Sequence, residues 1–78
     1  MSKYLTKYPI GATWQKTDNR KRTGKIWLEA RNGFFEVWRW SVVWEDGSGY
    51  ESNWSTSYRK CKEEIPIYEE SVRFTRVK

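Results

Sequence analysis

The stretch from residue 25 to residue 54 constrains the fold more than any other part of the sequence, because two turn signals separate three runs of β-forming residues there. Asn32-Gly33 stands between the first two runs. This dipeptide is the strongest short-range signal for a two-residue hairpin loop, since both loop residues must accept a positive φ. Such a loop would pair Leu28 with Val37 and would fix which side chains share a face.

This register divides the hairpin side chains between two faces, because successive residues of a strand point to opposite sides. One face is aliphatic and consists of Ile26, Leu28, Ala30, Phe35, Val37 and Val43. The other face mixes tryptophan with charge and consists of Lys25, Trp27, Glu29, Arg31, Phe34, Glu36, Trp38, Trp40, Val42 and Trp44. So much aromatic and charged surface on one face predicts a binding surface.

A second turn signal lies at residues 45–49, where an Asp-Gly pair is flanked by polar residues. Glycine at the left-handed position favours a three-residue loop that combines a type I turn with a bulge. An odd loop length would place Trp54 on the same face as Trp38 and Trp40. The sequence therefore predicts that these three tryptophans lie together.

The rest of the chain predicts further strands around this ribbon and hardly any helix. Residues 59–64 are compatible with a short helical turn or with a loop, and Pro66 would end a helix there. Five or six short strands predict an all-β fold, either a small SH3-like barrel or a strongly bent antiparallel sheet, with an OB-like barrel as the second architecture. The strands predicted outside the ribbon cover residues 10–16, 50–58 and 71–77.

Length and aromatic content limit the core. A chain of 78 residues predicts a single domain, in which residues 1–8 either fray or add an edge pairing. Such a domain buries only about 60% of the surface of its unfolded chain. Six Trp, five Tyr and three Phe exceed what a core of this size encloses, since each ring buries roughly 150–250 Å². Several aromatic rings should therefore be exposed, whereas Trp14 is expected in the core.

The residues that usually carry catalysis are scarce. The sequence has no His and a single Cys, so it forms neither a His/Cys metal cluster nor an internal disulfide. It also lacks a glycine-rich phosphate loop and a nucleophile motif. The acidic residues cluster at turns, where solvated charge is the ordinary role, and Cys61 is expected to be a small structural residue. We therefore expect a non-catalytic protein without a cofactor or metal.

Basic and aromatic residues occur together, which is typical of nucleic-acid binding. The chain has 15 basic and 10 acidic residues, a net charge of +5 and a pI near 9.5. Cations bind phosphates, and flat rings stack on bases for roughly 1–3 kcal/mol per base. The sequence therefore predicts a DNA or RNA interface that joins a basic loop at residues 17–24 to the tryptophan face. The candidate binding residues are Arg20, Lys21, Arg22, Lys25, Trp27, Arg31, Trp38, Trp40 and Trp54.

A protein partner is the second hypothesis, because Glu29 and Glu36 fall on the tryptophan face and would repel phosphate. Exposed Trp, Tyr and Arg are also the usual hot-spot residues of protein interfaces. A small basic inhibitor of a host enzyme, of the kind that phages encode, would have this composition, and we expect a monomer or a homodimer. No apolar run reaches the roughly 18 residues of a membrane helix, so we expect a cytoplasmic protein that does not bind membranes.

Overall fold

The computed structural model describes residues 8–68 and 73–77, which form one antiparallel sheet and one short helix. The five strands lie in the order β4-β3-β2-β1-β5. The predicted all-β class with an antiparallel sheet is thereby confirmed, while closure of the sheet into an SH3-like barrel stays a prediction. The elements are β1 at Thr13–Thr17, β2 at Arg22–Arg31, β3 at Glu36–Trp44, β4 at Gly49–Glu51, α1 at Tyr58–Glu64 and β5 at Thr75–Arg76.

The two ends of the chain are described only in part. β5 pairs with β1, and Thr75 lies opposite Gln15. The final strand predicted at 71–77 is therefore confirmed in its C-terminal part, while residues 71 and 72 lie outside the described residues. Fraying or an edge pairing is expected for residues 1–8, and residues 1–7 of this segment also lie outside the described residues.

The long hairpin of β2 and β3 differs in register from the predicted one. Leu28 lies opposite Trp38, not opposite Val37, and a bulge between Leu28 and Ala30 changes the register toward the turn. A shift of one residue exchanges the faces of a strand. Trp38 and Trp40 therefore lie on the buried face, and the prediction that they belong to the exposed face is wrong.

The loop between β2 and β3 explains this difference. The N–H of Asn32 donates to the carbonyl of Phe35 at 3.0 Å, and the Asn32 side chain accepts from the N–H groups of Phe34 and Phe35 at 3.0 and 3.3 Å. Gly33 lacks the positive φ of the predicted two-residue turn. Because the longer loop allows two indoles to be buried, each removing roughly 150–250 Å² from water, core packing outweighs the local turn preference.

The second turn has the predicted geometry. The N–H of Trp44 donates to the carbonyl of Ser48 at 2.7 Å, and Gly47 has a φ of +95°. The three-residue loop with a left-handed glycine is therefore confirmed. Tyr50 follows this loop onto the face of Trp40, where the two rings meet edge to face at 5.6 Å between centroids.

Trp54 nevertheless leaves the predicted face. The N–H of Ser52 donates to the carbonyl of Trp40, whereas Ser55 pairs with Trp38. The chain after β4 therefore uses one residue more than β3 over this span, which reverses the side-chain direction. Trp54 lies on the opposite face of the sheet from Trp38 and Trp40, so the predicted grouping of these three tryptophans is wrong.

Helix α1 covers the buried face. The side chain of Ser57 caps it by accepting a backbone hydrogen bond at 3.0 Å, and the helix ends at Glu64, shortly before Pro66. Cys61 is fully buried in the core, and burial raises the pKa of its thiol to about 11. A thiol with such a pKa is almost entirely protonated near neutral pH and hence a poor nucleophile, which agrees with a structural role.

Aromatic rings pack together in one part of the core. The rings of Trp14, Trp38 and Tyr58 contact one another at centroid distances of 5.6, 5.0 and 5.7 Å. Trp14 is only 7% exposed, which confirms its predicted burial. Its ring also contacts Tyr8 edge to face. The large side chains thus fill the space between β1, β3 and α1.

Gly24 on β2 lies where the chain after α1 packs against the sheet. A Cβ atom at this position would stand 2.9 Å from a side-chain carbon of Ile65 and 2.9 Å from one of Ile67. Carbon atoms pack at about 3.5–4.0 Å. A larger side chain at residue 24 would therefore push both isoleucines away from the sheet.

Gly24→Val is expected to lower the free energy of unfolding by about 1–3 kcal/mol, because overpacking displaces neighbouring side chains. Denaturant titration followed by tryptophan fluorescence measures this change. Gly33→Val is the matched control, since a Cβ at residue 33 would meet nothing within 4 Å. Equal stability of the two variants would contradict the packing of Ile65 and Ile67 on β2.

Candidate functional site

The face of the sheet opposite α1, which we term the open face, carries the side chains that alternate with the core. Neighbouring strands bring its residues into rows, because Trp27 lies between Thr13 and Arg39, and Lys25 lies between Gln15 and Ser41. Neither α1 nor any other described helix or strand packs on this face. The residues of the open face are Thr13, Gln15, Lys25, Trp27, Arg39 and Ser41.

Trp27 is at the centre of the open face. It is half-buried, and its indole N–H donates to Glu29 Oε1 at 2.7 Å. Lys25 is exposed and precedes it on the same face of β2, while Arg39 lies directly opposite on β3. An aromatic ring, an ammonium group and a guanidinium group are thus neighbours, and this combination suits bases and phosphates.

Arg39 is held in place by the chain that follows the second turn. Its Nη2 donates to Glu51 Oε1 at 2.9 Å and to the carbonyl of Ser52 at 3.0 Å. The side chains of Arg39 and Glu51 are 30% and 59% exposed, and an ion pair at such a site adds little to stability. Its effect is to fix the guanidinium beside Trp27.

The predicted basic loop is a tight turn in which not every cation is exposed. Arg20 and Lys21 are exposed, and Lys21 Nζ lies 3.9 Å from Glu45 Oε1. Arg22 instead begins β2 and is buried, with its guanidinium paired to Asp18. Arg22 is therefore not accessible to a phosphate, which corrects its predicted position in an exposed loop.

Asp18 organises this turn. Its Oδ1 accepts the N–H groups of Arg20 and Arg22 at 3.0 and 3.2 Å. Hydrogen bonds from the Arg22 guanidinium hold the pKa of Asp18 at about 2, below its ordinary 3.8, although burial acts in the opposite direction. The Arg22 guanidinium also lies 5.2 Å from the ring of Trp44, so an aromatic ring packs beside the ion pair.

The predicted tryptophan platform does not form as a group. Trp38 and Trp40 are 2% and 8% exposed, which excludes them from stacking on a ligand. The indole N–H of Trp38 donates to Glu36 Oε1 at 2.8 Å. Trp27 and Trp54 are the predicted binding tryptophans that reach the opposite side of the sheet.

Arg31, at the end of β2, is engaged with the N-terminal segment. Its side chain is half-buried, and its Nη2 donates to the carbonyl of Tyr8. Glu36 lies opposite Arg31 in the strand register. The structure therefore places Arg31 near the β2–β3 loop, away from Arg20 and Lys21 at the other end of β2.

A cleft of about 320 Å³ lies at the end of the open face nearest the β2–β3 loop. Trp54 and Phe35, which are 58% and 53% exposed, give it aromatic walls. Arg39 belongs both to the cleft and to the row of Trp27, so the cleft continues the open face. The residues that line the cleft are Glu29, Phe35, Val37, Arg39, Asn53 and Trp54.

Of the six residues that line the cleft, only Trp54 is among the binding residues predicted from the sequence. The predicted register assigned Phe35 and Val37 to the aliphatic face, and the observed register reverses this assignment. Arg39 and Asn53 belong to no sequence motif that indicates binding. The polar run at residues 51–57 is a signal that indicates this part of the cleft. It is too polar for a regular half-buried strand and therefore indicates an irregular backbone beside Trp54.

Within residues 8–68 and 73–77, no helix is long and apolar enough to cross a membrane. The same residues contain no group of three or more His, Cys, Asp or Glu placed to hold a metal ion. Comparisons with protein-family models, curated proteins and solved structures found no match. The open face and its cleft are therefore the basis for assigning a function.

Proposed function

We propose that the protein binds single-stranded nucleic acid, DNA or RNA, on the open face of its sheet. The observation that supports this function is the grouping of Lys25, Trp27 and Arg39 on a β surface that α1 leaves uncovered. Cations that follow a backbone and rings that stack on bases are the usual arrangement for binding single strands. The proposed function is non-catalytic and requires no cofactor.

The basic turn and the cleft lie at opposite ends of β2. Arg20 and Lys21 precede this strand, which has 10 residues and so spans about 33 Å at roughly 3.3 Å per residue. A bound strand running along it would meet these two cations first, then Lys25 and Trp27, and finally Trp54 in the cleft. A site of this length would hold a number of nucleotides in the lower part of the range of about 4–16 found for single-strand sites.

Three carboxylates near this path oppose phosphate binding, but each has a partner, and the partner of Glu45 is Lys21 in the basic turn. Glu29 accepts the indole N–H of Trp27, and Glu51 pairs with Arg39. Lys25 is exposed and can therefore bind a phosphate. With a net charge of +5, the whole chain also attracts a polyanion over a longer range.

Titration of labelled single-stranded oligonucleotides at two salt concentrations tests this proposal. We expect micromolar affinity whose logarithm falls linearly with the logarithm of salt concentration, with a slope of about −0.7 per phosphate neutralised. Trp27→Ala should weaken binding by roughly 1–3 kcal/mol through lost stacking and leave the slope unchanged. The triple change of Arg20, Lys21 and Lys25 to Ala should flatten the slope, because fewer counterions are released.

A matched control removes the same number of charges from the other side of the sheet. Arg59, Lys60 and Lys62 are exposed on α1, and changing all three to Ala should leave the salt slope nearly intact. If this control flattens the slope as much as the change of Arg20, Lys21 and Lys25 does, the assignment of the binding surface to the open face is wrong. The absence of any binding at low salt would exclude the proposed function.

A protein partner is the second candidate function, supported by the exposed rings around the β2–β3 loop. Phe34, Phe35 and Trp54 are 81%, 53% and 58% exposed, and an exposed apolar patch of this kind is typical of protein interfaces. The partner would be a host enzyme or a second copy of the chain. Phe34 does not line the cleft, so loss of self-association or protein capture in Phe34→Ser, with unchanged oligonucleotide affinity, would support this candidate.

A further inference from the structure

We propose that the cleft beside Trp54 binds one guanine base of the bound single strand. This inference rests on the proposed function and adds a base preference to it. Sequence-specific recognition of single strands commonly uses bases that leave the stack, lie against aromatic rings and form hydrogen bonds through their Watson–Crick edge. The cleft offers both kinds of contact at the end of the open face.

The size and walls of the cleft suit a single base. Its volume of about 320 Å³ lies at the lower end of the roughly 300–1,000 Å³ of small-molecule sites. Phe35 and Trp54 both line it, and both are more than half exposed. A flat base entering from solvent can therefore contact an aromatic ring without a rearrangement of the core.

The polar part of the cleft distinguishes guanine from the other bases. Glu29 supplies a carboxylate, which accepts hydrogen bonds but, when ionised, donates none. Guanine has two neighbouring donors on its Watson–Crick edge, the ring N1–H and the N2 amino group, and these match the two carboxylate oxygens. Adenine and cytosine have a ring acceptor beside their amino group, and thymine has one N–H between two carbonyls. Each of these bases would turn a lone pair toward Glu29.

The side chains around Glu29 also favour this arrangement. The indole N–H of Trp27 donates to Glu29 Oε1 at 2.7 Å, so the carboxylate is oriented before a ligand arrives, and less side-chain entropy is lost on binding. Asn53 also lines the cleft, and its amide has donors for the O6 acceptor of guanine. Arg39 adds a positive charge that its ion pair with Glu51 holds in place.

A guanine occupant accounts for a carboxylate on a face that otherwise suits phosphate. In a site that binds only the backbone, Glu29 would repel the ligand, whereas guanine would form charge-assisted hydrogen bonds with it. An apolar side chain from a protein partner would fit the rings but would form no hydrogen bond with the Glu29 carboxylate or the Asn53 amide as these groups lose water. The polar groups therefore favour a base over such a side chain.

Fluorescence anisotropy with three short strands tests the inference on the intact protein. The strands are oligothymidylate, the same strand with one central guanine, and the same strand with hypoxanthine, which lacks the N2 amino group of guanine, at that position. We expect the guanine strand to bind roughly tenfold more tightly than oligothymidylate, as a bidentate base contact implies. The hypoxanthine strand should fall between them, because it keeps one of the two donors.

Glu29→Gln is the decisive variant. Gln keeps an acceptor for the Trp27 indole but replaces one carboxylate oxygen with a donor, so the roughly tenfold preference should disappear while oligothymidylate still binds. Glu63→Gln is the control, because Glu63 lies on α1 and, like Glu29, accepts a hydrogen bond from a neighbouring side chain, in its case that of Arg59. This control should retain the guanine preference.

Each other result overturns a separate part of the inference. Equal affinity of the wild-type protein for the guanine and thymine strands, with normal salt dependence, would exclude the guanine site and leave the proposed function intact. A guanine preference that survives Glu29→Gln would show that Glu29 does not recognise the base. Failure to bind any strand at low salt would overturn both proposals, and a protein ligand lost on Trp54→Ala would then be the occupant of the cleft.

Discussion

Asp18→Asn is expected to lower the free energy of unfolding near neutral pH by about 3 kcal/mol. The reason is that the variant leaves the guanidinium of Arg22 buried without its charged partner, and breaking a buried ion pair from one side typically costs about 3–5 kcal/mol. Arg22 is 4% exposed and Asp18 is 5% exposed. Solvent therefore cannot replace the lost contact as it does for a surface pair.

The effect should depend on pH in a defined direction. The pKa of Asp18 is about 2 in the folded protein, against an ordinary value of 3.8. The unfolded chain binds the proton more readily, so the stabilisation is fully present above about pH 4 and is lost as the pH falls through about 2. Urea titrations between these values should show the stabilities of wild type and Asp18→Asn converging at the acid end.

The turn between β3 and β4 provides a matched control. Asp46 is exposed and accepts hydrogen bonds from Ser48, so Asp46→Asn should leave stability nearly unchanged near neutral pH. Adding Arg22→Met to Asp18→Asn should restore part of the lost stability, because the uncompensated buried charge is removed. A stability of Asp18→Asn equal to that of Asp46→Asn would show that the buried pair contributes little.

The parts of the fold that the sequence predicts are those fixed by local signals. Gly47 adopts the positive φ expected from its Asp-Gly context, and the loop length follows from it. The two runs of β-forming residues on either side of Asn32-Gly33 correspond to the strands Arg22–Arg31 and Glu36–Trp44. Alternation within one strand is also local, so Lys25 and Trp27 share the open face whatever the register of β3.

The assignment of faces between strands could not be predicted, because it depends on a register that a single residue reverses. The Asn-Gly signal favours one register, but burying Trp38 and Trp40 requires the other. Arg22 is a similar case, since its neighbours in the sequence suggest an exposed basic run while Asp18 supplies a buried partner. Most of the predicted binding residues that are exposed in the structure lie at positions whose exposure does not depend on the register between strands.

The second large effect separates two tryptophans that the sequence places in one group. Trp38→Ala is expected to lower the free energy of unfolding by about 3–5 kcal/mol, because a large buried side chain is replaced by a cavity. Trp38 is 2% exposed and contacts the rings of Trp14 and Tyr58. Trp54→Ala should change stability by no more than about 0.5 kcal/mol, as is usual for a surface substitution. Denaturant titration of both variants measures the difference.

The two variants should also lose binding for different reasons. A small domain has a total stability of about 5–15 kcal/mol, so Trp38→Ala will bind poorly only to the extent that it unfolds, and stabilising osmolytes should restore its affinity. Trp54→Ala will stay folded and should lose the guanine preference permanently, because its ring forms part of the cleft. If Trp38→Ala were as stable as Trp54→Ala, the buried position of Trp38 would be wrong, and the register of β2 and β3 with it. Arg39 and Ser41 would then not share the open face with Lys25 and Trp27, because their assignment to that face depends on the register.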